Sequence, residues 1–265
     1  MQGMHFKVVQ ISDIHLLKEP EGALLGVKTN ESFQAIVNML AQEKKPADFI
    51  ILSGDLAQDH SQEAYLQVAK MIAPLRVPVY YTVGNHDDPI VMERIYPREN
   101  VIKDKHFLLK DWQFILLDTH KPGAVYGSLD QTQLQYLEDC LSGYPNHRTI
   151  LFFHHHPVSV GSAWLDNLGL KNADELWKRL KKHTNVQAIF FGHVHQEFHK
   201  TMNGISLYGA PSTCIQFKRN RDTFALENIP PGYRWIEFYD NGEIKTGVNR
   251  IKEYVGFFDA NATGY

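Results

Sequence analysis

Short apolar runs recur through the first two thirds of this chain, each a strand's length and each bounded by polar or turn-forming residues. Residues 6–12, 49–53, 77–83, 114–118, 149–153 and 188–191 are rich in Ile, Val, Phe and Tyr and predict buried strands. Between them the period lengthens to that of a helix. Phe33, Ile36, Val37 and Leu40 form one apolar face after Asn30, the expected N-cap. Leu134, Leu137 and Leu141 do the same after Asp130, and Asn172 with Glu175 predicts a capping box ahead of Leu176 and Leu180. Residues 106–118 predict a hairpin turning at Lys110-Asp111. From Ile205 onward the helical period is gone. Residues 233–239 and 245–251 flank Asp240-Asn241-Gly242-Glu243, a strong hairpin signal because Asn-Gly tolerates positive φ angles. No repeat, low-complexity tract or linker-like stretch interrupts the pattern. The expectation is one α/β domain with two sheets over residues 1–254, followed by an extended tail over 255–265.

Composition narrows the class. At 265 residues, 43% apolar and 22% charged, the chain is long enough for a sizeable core and reads as a soluble globular protein. A net charge of −3 argues against a nucleic-acid groove as partner. No apolar run is long enough to span a membrane, and residues 1–10 lack the cationic and apolar regions of a signal peptide. Two cysteines, Cys140 and Cys214, cannot build a disulfide framework and suggest a reducing, cytoplasmic setting.

The chemistry sits in five blocks, each just after a predicted strand. They are Asp13-Ile14-His15, Gly54-Asp55, Gly84-Asn85-His86-Asp87, His154-His155-His156-Pro157 and Gly192-His193-Val194-His195. Alone, each has an ordinary explanation: a turn, a helix cap, a core histidine. Together they supply carboxylate, imidazole and amide oxygen donors without a thiolate. That set suits two divalent ions sharing a carboxylate, an arrangement that hydrolyses phosphate esters. Asp13 and His15, and again His193 and His195, are two apart, so on extended backbone each pair faces one side. A carboxylate at Asp55, beside a glycine that permits a sharp bend, can bridge two ions.

The order of these blocks resembles that of the calcineurin-like metallophosphoesterases. Outside the ligands, Leu25-Gly26-Val27-Lys28-Thr29-Asn30-Glu31-Ser32, Asp55-Leu56-Ala57-Gln58-Asp59, Ser162-Ala163-Trp164-Leu165-Asp166 and Pro211-Ser212-Thr213-Cys214-Ile215-Gln216-Phe217 resemble the bacterial class III 3′,5′-cyclic AMP phosphodiesterases. The resemblance covers residues 6 to about 251. It implies an α-β-β-α sandwich of two mixed sheets flanked by helices. It implies one ion on Asp13, His15, Asp55 and His195, and a second on Asp55, Asn85, His155 and His193. The ions implied are iron or manganese, with zinc or cobalt admitted by the same donors. The resemblance takes the first histidine of a His-His-Pro pair as ligand, which selects His155 and leaves His154 as runner-up.

By the same resemblance the substrate is cyclic AMP and the product 5′-AMP, formed by a bridging hydroxide without a covalent intermediate. The enzyme would thereby lower cellular cyclic AMP. His86 and Asp55 are the expected catalytic residues. His15, Asp55, Asn85, His86 and His195 are expected to contact substrate, with His86 stabilising or protonating the leaving oxygen. A broader phosphodiesterase, such as a glycerophosphodiesterase, fits the ligand blocks equally well. A non-catalytic scaffold fits poorly, because all seven expected ligands are present. Trp164, Asp166 and Asn167 could line a nucleobase pocket, though loop packing accounts for them as readily.

Overall fold

Apolar runs without polar alternation need cover on both faces, and the computed structural model supplies it. It describes residues 4–252, 259 and 261–264. The first half holds β1 (Met4–Ile11), β2 (Ala23–Leu24), β3 (Val27–Lys28), α1 (Thr29–Ala41), β4 (Phe49–Ser53), α2 (Gln62–Ile72), β5 (Val79–Thr82) and α3 (Pro89–Ile95). Next come β6 (Val101–Ile102), β7 (His106–Leu109), β8 (Trp112–Leu116), α4 (Gln131–Gly143), β9 (Arg148–Phe153), α5 (Ala163–Asp166) and α6 (Ala173–Leu180). The rest is strand: β10 (Val186–Phe191), β11 (Phe198–Met202), β12 (Ile205–Gly209), β13 (Gly232–Tyr239) and β14 (Ile244–Arg250).

Two six-stranded sheets result, in the orders β14-β13-β1-β4-β5-β6 and β11-β12-β10-β9-β8-β7. Each has parallel strands at its centre, with antiparallel pairing by β13 and β14 in one and by β7 and β11 in the other. Strand alternation divides the core into three layers. Phe6, Val8, Phe49, Ile51, Ile150, Phe152, Ala188 and Phe190 meet between the sheets. Their neighbours Val9, Ile11, Ile50 and Leu52 face the layer containing α1 to α3, while Leu151, Phe153, Ile189 and Phe191 face that of α4 to α6. The helix–sheet–sheet–helix sandwich is therefore the arrangement expected from the sequence.

Local expectations fared unevenly. Both predicted hairpins form, and Asp130 caps α4 by accepting from Gln133 N–H at 2.8 Å. Asn30 is not a cap. It lies inside α1, which starts one residue earlier, and its amide donates to Pro20 O and to Gln67 Oε1. Asn172 occupies the N-cap position of α6 without capping it; its side chain instead bonds Leu129 N–H and Leu129 O. In both places a contact distant in sequence takes the side chain from its own helix end. Of the predicted 255–265 tail, residues 255–258, 260 and 265 lie outside the described residues, and Asp259 N–H donates to Leu25 O at 3.1 Å. No helix among the described residues is long and apolar enough to cross a membrane.

At the β5 and β8 edge, Lys105 turns its ammonium inward, donating to Tyr81 O at 2.6 Å with the Tyr81 ring centroid 3.3 Å away. Burial pulls its pKa from 10.5 down to about 7, against the opposing pull of Asp118 and Glu93. Between those values the unfolded chain carries the extra proton, so this residue makes stability rise as pH climbs through that window. Urea titrations at pH 7 and pH 9 should show the wild type gaining on the order of 2 kcal/mol relative to Lys105→Met over that interval. A difference independent of pH would refute the assignment.

Candidate metal centre

The parallel register aligns the C-terminal ends of the central strands. Ile11 pairs with Leu52, Ser53 with Thr82, and Phe153 with Phe191. All five polar blocks leave the sheets at this rim, where the two layers meet. Gln10 ties them by donating to Ser53 Oγ at 2.9 Å and to Phe191 O at 3.1 Å.

The residues do not point there by strand alternation. Asp13, His15, Asp55, His193 and His195 have φ values of 54°, 52°, 53°, 67° and 46°, all in the left-handed region. The two-apart pairs share a side because the chain kinks at each member, which corrects the extended geometry expected from spacing. Such backbone is unfavourable for Asp and His and is held by its surroundings. The N–H groups of Ile14 and His15 donate to Asp55 O at 2.8 and 2.9 Å, and Ser212 Oγ donates to Asp13 O at 2.7 Å. His193 N–H donates to the Asp13 carboxylate at 3.1 Å, and His86 N–H to Asp55 Oδ1 at 2.8 Å.

Three imidazoles are fixed the same way. Nδ1–H donates to an oxygen, to Gln58 Oε1 for His15, Ser53 O for His154 and Ile215 O for His195, at 2.7, 2.8 and 3.0 Å. That leaves Nε2 as the nitrogen that faces inward in each ring. His195 Nε2 is 3.2 Å from His15 Nε2 and 3.3 Å from Asp13 Oδ1. His154 Nε2 is 3.2 Å from both Asp55 Oδ2 and Asn85 Oδ1. Outer partners of this kind orient metal-binding histidines.

His155 is placed differently. Its Nε2–H donates to Val125 O at 3.1 Å, and its Nδ1 accepts from Thr119 Oγ1 at 2.8 Å, so both ring nitrogens are engaged. The β9 strand ends at Phe153, so alternation no longer governs the three histidines; the rings of all three lie within 5.8 Å of the His193 ring.

The electrostatics show what the cluster lacks. Burial raises Asp55, yet His154 and His86 outweigh it and hold the carboxyl well below its usual range. Burial likewise opposes the lowered Asp13, where His195 and His154 win. His154 moves up to about 9 because the Asp55 charge overcomes burial, while burial takes His15 down to about 3. His193 is held well below its ordinary value by burial and then by the neighbouring histidines, and neither of its ring nitrogens has a hydrogen-bond partner. Asp55 Oδ2 makes no well-formed hydrogen bond either. Buried polar atoms of this kind call for a partner. Ligand atoms of Asp13, His15 and His195, of Asp13, Asp55 and His154, of His15, Asp55 and His86, and of His154, His155 and His193 fall in groups with all members within 4.8 Å. The donors therefore fit divalent cations.

Every residue expected from the sequence reaches this rim. Those not singled out beforehand support it: Gln58, Thr119, Ser53, and Asp87, whose carboxylate accepts from Gly84, Leu56 and Ala57 N–H at 2.9, 2.9 and 3.1 Å. Of these, Asp87 was visible as the last residue of Gly-Asn-His-Asp, and Gln58 within the Asp55–Asp59 segment. Trp164 packs edge-on against Phe217 and Phe224, and Asp166 bonds Ser159 and Val160, so loop packing is what they show.

Close approach of the blocks also demands glycine. A Cβ at Gly192 would lie 2.1 Å from Ser12 Oγ and 2.7 Å from Ser53 O. Gly192→Ala should cost about 1–3 kcal/mol in urea unfolding. An unchanged midpoint would show that the rim is looser than these distances.

The calcineurin-like phosphoesterase profile matches residues 6–197. The 3′,5′-cyclic adenosine monophosphate phosphodiesterase CpdA of Haemophilus influenzae is 39% identical over 260 residues, covering 98% of this chain and 95% of that one. CpdA of Escherichia coli K12 is 38% identical, covering 98% and 94%. Among solved structures, a dimetal phosphatase from Danio rerio superimposes with a TM-score of 0.66 at 14% identity, covering 92% of this chain and 99% of that one.

Proposed function

This chain belongs to the calcineurin-like phosphoesterase family, and on that premise we propose that it hydrolyses 3′,5′-cyclic AMP to 5′-AMP with two divalent ions, lowering the cyclic AMP of the cytoplasm. The observation that carries the reading is the ring of buried donors around Asp55, in a chain 35–39% identical to three CpdA proteins over nearly its whole length. In this reading one ion is held by Asp13, His15, Asp55 and His195. The other is held by Asp55, Asn85, His193 and His154. We assign His154 in place of His155, because His154 directs Nε2 at Asp55 and Asn85 while both nitrogens of His155 are engaged. Iron or manganese suits the donors, as do zinc and cobalt.

Two ions held by these residues would supply a hydroxide nucleophile near neutral pH and would neutralise phosphate charge. The protein's part is to hold the donors rigid and to place two groups beside the phosphorus. Asn85 presents its amide at the rim. His86, whose ring centroid is 5.2 Å from that of His15, is only half-buried and so open to substrate. His86 donates a proton to the departing 3′ oxygen, and His15, Asn85 and His195 line the phosphate's seat. The ligand set alone suits other phosphodiesters too; the near full-length likeness to CpdA favours the cyclic nucleotide.

Metal-reconstituted protein incubated with 3′,5′-cyclic AMP should yield 5′-AMP, with Asp55→Ala lowering turnover by about a thousandfold or more. Cleavage of bis(p-nitrophenyl) phosphate with no cleavage of cyclic AMP would keep the centre and reject the substrate. Mass-spectrometric metal analysis separates the histidines. His154→Ala should lose about one ion per chain and His155→Ala should retain both; the reverse would restore the ligand first expected from the sequence. His86→Ala should retain both ions and lower kcat by about 10²–10⁴-fold.

A further inference from the structure

Beside the metal rim, between the ends of β5 and β8, lies a cavity of about 460 Å³. That is within the range of small-molecule sites. Val83, Met92, Leu117 and Tyr136 make its walls largely apolar. Thr82 also lines it, 2% exposed, and its Oγ1 has no hydrogen-bond partner. Lys105 brings an inward-turned ammonium whose bond to Tyr81 O uses one of its three protons. Asp118 brings a carboxylate, its backbone N–H held by Gln133 Oε1 at 3.0 Å.

These groups select a ligand by exclusion. A phosphate or carboxylate would face the charges of Asp118 and Glu93, both on the wall. A hydrocarbon would fit the walls but leave Thr82 without a partner. A flat, neutral heterocycle with ring nitrogens that accept and an exocyclic amine that donates satisfies all of them. Its faces meet the apolar walls, its acceptors take Thr82 O–H and Lys105 N–H, and its amine donates to Asp118. We propose that this cavity is a binding site for an aminopurine base of the adenine type.

Two sources could provide that base. Val83 is two residues from Asn85, about 7 Å along an extended chain, and Asp118 adjoins Thr119, the partner of His155. The site is thus near enough to take the base of a nucleotide whose phosphate lies at the metal rim, or it takes a free nucleoside. The proposal rests on the cyclic-nucleotide reading only in its choice of probe, because binding needs no turnover.

Calorimetry with adenosine on the metal-loaded full chain tests it. Wild type should bind saturably, and Thr82→Val and Lys105→Met should each weaken binding by about tenfold. Thr82→Val is close in shape, so it stands if the lysine variant fails to fold, and melting curves report integrity. Adenosine competing with cyclic AMP for hydrolysis would identify the substrate's own base as occupant; binding without competition would identify a separate nucleoside. No saturable binding by wild type, or equal affinity in folded variants, would overturn the proposal.

Discussion

A carboxylate wholly removed from solvent holds this structure's working end together. Asp55 is 0% exposed and sits at the rim where the two sheets meet and the five donor blocks converge. Its backbone carbonyl takes the N–H groups of the first block, its Oδ1 takes that of the third, and its Oδ2 faces His154 and His15. A charge buried so deeply is tolerable only with neighbours of opposite charge and good hydrogen bonds. Those same neighbours are the remaining donors of the centre. The site and its scaffold are therefore not separable: the groups that keep the charge buried are the same donors that fit cations.

That economy puts stress on the backbone. Five donors sit at left-handed φ, a conformation costing an L residue about 1–2 kcal/mol. Hydrogen bonds from Ser212 and His193, and those accepted by the Asp55 carbonyl, keep the kinks in place, and glycines at 84 and 192 make room for them. A regular strand end would spread the side chains to both sides of the sheet. The kink gathers them on one side, and the sandwich beneath supplies the rigidity that maintains it.

Much of this was legible in the sequence. The runs at β4, β9 and β10 could only be strands covered on both faces, and the donor blocks announced themselves by residue type and by following those runs. What sequence could not supply was geometry set by distant partners. Asn30 and Asn172 look like caps because capping is a local rule, but Gln67 and Leu129 claim their side chains. The choice between His154 and His155 turns on Thr119 and the Val125 carbonyl, 36 and 30 residues away. Alternation offered no guide once the strand had ended. Lys105 and Thr82 gave no signal at all, being ordinary residues made unusual by a cavity.

The spacing of the donors has a consequence for how the molecule comes to exist. Asp13 is bonded to His193 across 180 residues, and His154 to Ser53 across 101. No two-block fragment assembles the ring; both sheets must form and dock before Asp55 meets all its neighbours. Such long closures are slow to nucleate. Cations therefore have no complete cage to enter until the last stage of folding. Ions bound there would lock a finished chain rather than template an unfinished one, unlike small zinc domains, where the ion organises the fold.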